Sequence, residues 1–338
     1  MSKIDAFTHI LPPRYLKALS LKNETAVRQR LSPVLSSAHH ELDARFRIMD
    51  RYEGYVQILS LAIPPVEDIA APELATELAR MANDEMAELV AKYPDRFVAA
   101  VACLPMNDVD AALREAERAV MELGFKGFQI TTTIMDKPVD SAEFDPLFRK
   151  MNEYGLPVLM HPRNIETGLR AMVPRGQGDP VQYLAQGPFN WPFETTIAMG
   201  RIVFSGMLGR YPNLKIVTHH CGGMIPYQRE RITNGFERAK QQGTHRLLAK
   251  SFAQEPIEYY RMMYGDTACW GNTSALMCGY DFFGSDHVLF ATDMPFGYDG
   301  GEVFVRNTIR SIEEMTISDG DRRKIFELNA RRLFRLGM

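Results

Sequence analysis

With 338 residues, 46% of them hydrophobic, the chain can bury a large core, either as one big α/β barrel or as two ordinary domains. Against 42 acidic residues stand 39 basic ones, a formal net charge of −3 that supplies no footprint for a polyphosphate or an anionic membrane and argues against nucleic-acid partners. No stretch approaches the roughly 20 apolar residues of a bilayer span, no apolar leader precedes the first strand, and Cys103, Cys221, Cys269 and Cys278 form no C-x-x-C pair, so the expectation is a cytoplasmic protein with reduced thiols.

In chain order, short β-rich apolar runs are predicted at residues 4–7, 55–60, 97–102, 125–130, 157–160, 215–218, 262–265 and 288–290. Between them lie helical patterns at 72–92, 108–123, 142–153, 193–210, 224–241 and 322–336. Tyr93-Pro94 and Tyr211-Pro212 supply breakers, while Gly124 and Gly155 suit left-handed caps. This alternation predicts a parallel sheet with helices outside it. With no interdomain linker, the expected fold is a TIM (β/α)8 barrel forming one domain over residues 1–338, with long loops after strand 1 (10–42) and strand 5 (162–191).

A TIM barrel carries its chemistry at the C-terminal ends of its strands. Polar residues fall there at His9, His161, His219-His220 and Asp293, after strands 1, 5, 6 and 8. A lone histidine at a strand end is usually a packed hydrogen-bonding group, but four strand ends converging on one mouth favour a site. Imidazoles plus a carboxylate suit a borderline divalent metal such as zinc, which activates water or polarises a substrate oxygen. Strand alternation puts only one of His219 and His220 inside; Gly222-Gly223, which allow close approach to a ligand, favour His220. The same alternation places Asp5, Phe7 and His9 on one face, Asp5 one step deeper and not assigned as a ligand. His39, His40, His245 and His287 sit in polar or turn contexts and are expected to be solvated or supporting.

The order and spacing of several short motifs resemble the aminocarboxymuconate-semialdehyde decarboxylase branch of the amidohydrolase superfamily, labelled amidohydrolase-2. They are Ile4-Asp5-Ala6-Phe7-Thr8-His9-Ile10-Leu11-Pro12, Arg45 to Asp50, His161-Pro162, Pro192-Phe193-Glu194-Thr195-Thr196, His220-Cys221-Gly222-Gly223-Met224-Ile225-Pro226, Leu289 to Pro295 and Asn329-Ala330-Arg331-Arg332-Leu333. The resemblance covers nearly the whole chain. It implies His9, His161 and Asp293 as ligands of one divalent metal, zinc first with manganese as the alternative. It also implies His220, with Asp293, as the acid/base pair. One departure stands out: the first histidine of the branch's H-x-H motif is Phe7, whose ring has no lone pair for a metal.

The resemblance also implies Arg45 and Arg231 as anchors for a substrate carboxylate, a task suited to the planar two-pronged guanidinium. The Arg231 equivalent reaches into a neighbouring subunit's site, which implies a homodimer. Trp191 and Phe193, just before Glu194, would wall an aromatic or dienoic substrate, although rim packing explains them equally well, and the Phe7 ring would pack against the substrate. The implied activity is non-oxidative decarboxylation of an aromatic or unsaturated carboxylic acid. The alternatives are metal-dependent hydrolysis of a lactone, ester or amide, and hydration of a double bond, on the same scaffold.

Overall fold

All eight expected strands are present in the computed structural model, which describes residues 1–31, 35–62, 64–163, 186–244 and 252–337. They are β1 (Lys3–Ile10), β2 (Tyr55–Leu61), β3 (Phe97–Ala100), β4 (Phe128–Thr131), β5 (Pro157–His161), β6 (Lys215–Thr218), β7 (Tyr264–Asp266) and β8 (Val288–Leu289). A small antiparallel hairpin, Thr133–Ile134 with Lys137–Pro138, follows β4. Parallel ladders run in the orders β1-β2-β3 and β8-β7-β6-β5-β4. Two seams close the ring. A bridge between Ala102 and Phe128 joins β3 to β4, and amide bonds from Ala6 to Phe290 and from His9 to Met294, 2.8 and 2.7 Å long, join β1 to the β8 side.

The packing is divided by the sheet into two clusters. Ile4, Ala6, Phe7, Ile58, Ala99, Val101, Leu159, Val217, Leu289 and Ala291 fill the barrel interior, joined by Ala330, Leu333 and Phe334 near the C-terminus. The larger cluster lies between the strands and the helices around them.

The segment after β1 is not the structureless loop expected. It holds α1 (Pro13–Lys22) and short helical turns at Glu24–Ala26 and Ser37–His39, and α2 (Leu42–Met49) follows it. Pro13 occupies the first turn, where a missing N–H costs nothing, and the exposed amides of Arg14 and Tyr15 are taken by the Glu85 carboxylate at 3.0 and 3.1 Å. Glu85 lies on α3 (Pro72–Lys92), whose ends are those expected. The ring continues with α4 (Val109–Met121), α5 (Asp145–Tyr154), α6 (Trp191–Phe204), α7 (Arg229–Gln241), α8 (Thr273–Phe283) and α9 (Glu302–Glu313).

Three predicted helices are shorter or broken. The 193–210 pattern breaks at Gly206 (φ 74°), and the 224–241 pattern becomes helical only at Arg229, after Gly222 and Gly223 take positive φ. The 322–336 pattern carries a wide turn at Lys324–Leu328. The segment expected as a long loop after β5, and His245, fall largely or wholly outside the described residues.

One irregularity positions the site. Asp5 pairs with Gln57 but Thr8 with Leu59, so β1 has one residue more than its partner and bulges between them. Ala6 and Phe7 both join the interior cluster, whereas the Asp5 carboxylate turns to Tyr55 and Thr292, accepting from the Tyr55 hydroxyl at 2.5 Å and the Thr292 amide at 3.0 Å. Asp5 therefore does not share the face of Phe7 and His9, as strict alternation predicts.

Candidate active site

Three histidines at the barrel mouth are each held by Nδ1, leaving Nε2 to face the centre. Ser60 gives its own proton to the Thr8 carbonyl (2.8 Å), so its oxygen accepts from His9 Nδ1 at 3.2 Å. His161 Nδ1 donates to the Pro162 carbonyl at 2.7 Å, and His219 Nδ1 donates to Asp266. That carboxylate is anchored in turn by the amides of Cys221 (3.0 Å) and Ala268 (3.1 Å). Protons on all three Nδ1 atoms leave lone pairs on all three Nε2 atoms, the tautomer that metal-bound histidines adopt.

Asp293, in the turn after β8 at φ 67°, completes the cluster. Its Oδ1 lies 3.2 Å from both His9 Nε2 and His219 Nε2. Ligand atoms of His9, His161, His219 and Asp293 all fall within 4.8 Å of one another, and all four residues are buried. Among the described residues His9 Nε2 has no hydrogen-bond partner. Lone pairs of nitrogen and of a carboxylate crowded together in a dry pocket call for a positive charge between them, so the donor set fits a divalent ion.

The electrostatics carry the same demand. Without an ion that positive charge rests on His219: burial works against it, yet Asp266 and Asp293 on either side raise its pKa to about 10, so Nε2 holds a proton toward Asp293 Oδ1 that a metal must displace. Burial also works against the Asp293 carboxylate, but the charge of His219 and the hydrogen bond from its Nε2 hold it well below the usual range. His9 and His161 are pushed below the ordinary imidazole value, chiefly by burial.

The expectation that only His220 faces inward needs correction. The strand ends at Thr218, His219 continues the inward face of Val217, and His220 then enters the left-handed region (φ 53°), which turns its ring back toward the same pocket. The two rings lie 4.1 Å apart. His220 Nε2 is 3.9 Å from Asp293 Oδ2, too far for a direct hydrogen bond, and neither ring nitrogen has a partner among the described residues. Burial, then neighbouring His219, lowers its pKa. Gly223 is required at this bend, since a Cβ there would meet the Pro192 carbonyl oxygen at 2.3 Å.

Aromatic rings wall the pocket. Phe7 packs against His219, His9 and His161 at centroid distances of 4.4, 5.3 and 5.8 Å. Trp191, opening α6, lies parallel to His220 within 3° at 5.9 Å, and Phe296 covers His9 at 5.3 Å.

The two arginines are elsewhere. Arg45 is fully buried on the Asp5 side of β1, its Nε donating to Gln57 (2.7 Å) and its Nη1 to the carbonyls of His9 (2.7 Å) and Ala38 (3.2 Å). Only Nη2 lacks a partner among the described residues, so a two-pronged grip on a substrate carboxylate is not available in this arrangement. Arg231 is exposed on α7, a helix with no buried residue, in an open groove with Tyr227, Asn234 and Arg238.

Sequence reasoning assigned no role to Ser60, Asp266 or Phe296. For Asp266 the signal was present, a carboxylate one residue past the predicted end of strand 7.

Comparison with known proteins supplies a family for the chain. A sequence model of the family described as Amidohydrolase matches residues 4–336. A γ-resorcylate decarboxylase from a Polaromonas species is 35% identical over 305 residues, covering 87% of each chain. A 2-amino-3-carboxymuconate-6-semialdehyde decarboxylase from Dictyostelium discoideum is 28% identical over 329 residues, 93% of this chain and 87% of that one. Among solved structures, a dihydroxybenzoic acid decarboxylase from a Polaromonas species, with bound manganese and the inhibitor 2-nitroresorcinol, superposes with a TM-score of 0.76 at 29% identity, covering 99% of this chain and 97% of that one.

Proposed function

This chain belongs to the amidohydrolase family, and from that premise we propose that it is a metal-dependent, non-oxidative decarboxylase of an aromatic carboxylic acid. One observation carries the reading. A buried cluster of imidazole nitrogens and a carboxylate lies beside a histidine with no hydrogen-bond partner among the described residues, inside aromatic walls.

Loss of carbon dioxide from an aromatic ring needs a proton at the carbon that carried the carboxylate, so that the bonding pair has somewhere to go. His9, His161 and Asp293 would hold the metal; zinc is our first assignment, and manganese, present in the related structure, its competitor. When bound, such an ion would draw negative charge from the substrate's oxygens. His220 is placed to carry the proton to the ring carbon, because neither of its nitrogens has a partner among the described residues, and Asp293 Oδ2 lies 3.9 Å away. Phe7, Trp191 and Phe296 exclude water and offer apolar faces to an aromatic ring.

Arg45 supports the site through the His9 carbonyl and presents Nη2 alone to a ligand. Arg231 we assign to the mouth of a neighbouring subunit in a homodimer, since α7 buries none of its residues within one chain. Four unpaired cysteines support placing the protein in the cytoplasm, and among the described residues no helix is long and apolar enough to cross a membrane.

Metal analysis together with carbon dioxide release from a panel of hydroxybenzoates tests this. The expected outcome is metal-dependent release, with deuterium from D2O appearing at the vacated ring carbon. Hydrolysis of lactones with no release from any benzoate, by protein carrying its full metal, would overturn the reading.

A further inference from the structure

We infer that His219 is a protein ligand of the metal in its own right, standing in for the ligand that position 7 lacks, and that this division of labour leaves His220 as the proton carrier. The inference rests on the reading above that the pocket holds a divalent ion.

The bulge in β1 keeps position 7 facing the cluster, but a phenyl ring offers no lone pair. With His9, His161 and Asp293 alone the ion would have three protein ligands. His219 supplies the missing donor from the opposite wall. Its Nε2 lies 3.2 Å from Asp293 Oδ1, the oxygen that is also 3.2 Å from His9 Nε2, so one ion placed among these atoms meets all three. Asp266 accepts from His219 Nδ1 and is itself pinned by two backbone amides, which fixes both the tautomer and the plane of the ring. Phe7, 4.4 Å from the His219 ring, is the packing that holds the imidazole on its far side.

His220 shows the opposite design. It has no Nδ1 partner among the described residues, it faces the other oxygen of Asp293 at 3.9 Å, and it stacks on Trp191 rather than against a fixed carboxylate. A ligand is held from behind, whereas a proton carrier must be free to exchange its proton.

The test uses the full-length protein, with metal affinity measured by competition against a chromophoric chelator and the ligand field read from the visible spectrum after Co(II) substitution. Fold is checked by circular dichroism. Loss of a supporting partner alone weakens metal sites by about 10–100-fold, so His219→Gln is expected to weaken binding at least about a hundredfold and to alter the Co(II) bands. His220→Gln is expected to leave both unchanged. Phe7→His added to His219→Gln should recover part of the lost affinity by returning a donor to position 7.

A wild-type protein that binds one ion per chain, together with a folded His219→Gln variant of equal affinity and unaltered Co(II) spectrum, overturns the assignment. A double variant that recovers nothing overturns the exchange between positions 7 and 219. If His219→Gln does not fold, Asp266→Asn takes its place, and unchanged affinity and spectrum there count equally against the proposal. A wild-type protein that binds no ion at all is a different result, one that removes the metal reading itself.

Discussion

The barrel floor and the barrel mouth are built from the same strands, one step apart. On β2 the inward face passes from Ile58 to Ser60, on β5 from Leu159 to His161, on β6 and just beyond it from Val217 to His219, and on β1 from Phe7 to His9. The floor residues are apolar and packed to near-zero exposure, with no polar side-chain atom among Ile58, Leu159, Val217 and Phe7. His9, Ser60, His161 and His219 are just as buried, yet among the described residues His9 Nε2 has no partner, and beside them the half-buried His220 has none at either nitrogen. Two residues of strand, about 7 Å of rise, separate a layer that stabilises from a layer held ready for a ligand. The difference teaches that burial at this site reports preorganisation: the packed floor fixes where the unpartnered atoms stand.

The comparison can be broken most forcefully at the mouth. His161→Ala and Asp293→Ala are each expected to abolish metal retention while the barrel stays folded, because neither side chain belongs to the floor. Elemental analysis with circular dichroism checks this, and full metal in either variant would place the ligands elsewhere.

Next in size is His220→Asn, expected to keep metal and fold but to lose at least about a hundredfold in turnover, the usual scale of general acid–base catalysis. Steady-state rates near wild type would deny His220 the proton.

The floor should answer in the opposite way. Ile58→Ala leaves a cavity in the interior cluster and is expected to cost about 2–5 kcal/mol of stability in denaturant titrations. Metal content and turnover at moderate temperature should be unchanged; a loss of metal without loss of stability would erase the distinction between the layers.

The smallest expected effect lies at the rim. Glu67, on the short helix Val66–Ile69, has its pKa raised by burial from 4.5 to about 8. The fold therefore favours the protonated acid, so this contribution to stability is complete below about pH 4.5 and is lost as pH rises through about 8. Glu67→Gln should leave the melting temperature near pH 4 unchanged and raise it at pH 9. Parallel melting curves for the two proteins across that range would deny Glu67 its proton in the fold.

Most of the barrel was legible because its strands are short β-branched and aromatic runs between breakers, and β6 (Lys215–Thr218) coincides with the predicted strand. α1 was not legible. Pro12-Pro13 reads as loop, and the carboxylate that caps this helix, Glu85, comes from another helix more than seventy residues along the chain. Within the site, His219 was readable from parity with Val217, but the nearby Gly222-Gly223 drew the inward assignment to His220. What parity could not give is the left-handed turn that brings His220 into the same pocket, since nothing in its residue type requires positive φ. The fate of Arg45 was equally hidden: its neighbours Gln57 and the His9 carbonyl are set by the tertiary packing of α2 on the sheet.

The extra residue in β1 also makes the strand modular. Asp5 fastens the barrel seam through Thr292 on one side of the bulge, while Phe7 shapes the reaction pocket on the other. An uninterrupted strand would put positions 5 and 7 on one face, and any change at one would be felt by its neighbour. Here the pocket position is uncoupled from the seam contact, so a library that randomises residue 7 can search for new substrate preferences with the Asp5–Thr292 fastening left in place, at the cost of whatever packing the buried Phe7 ring supplies.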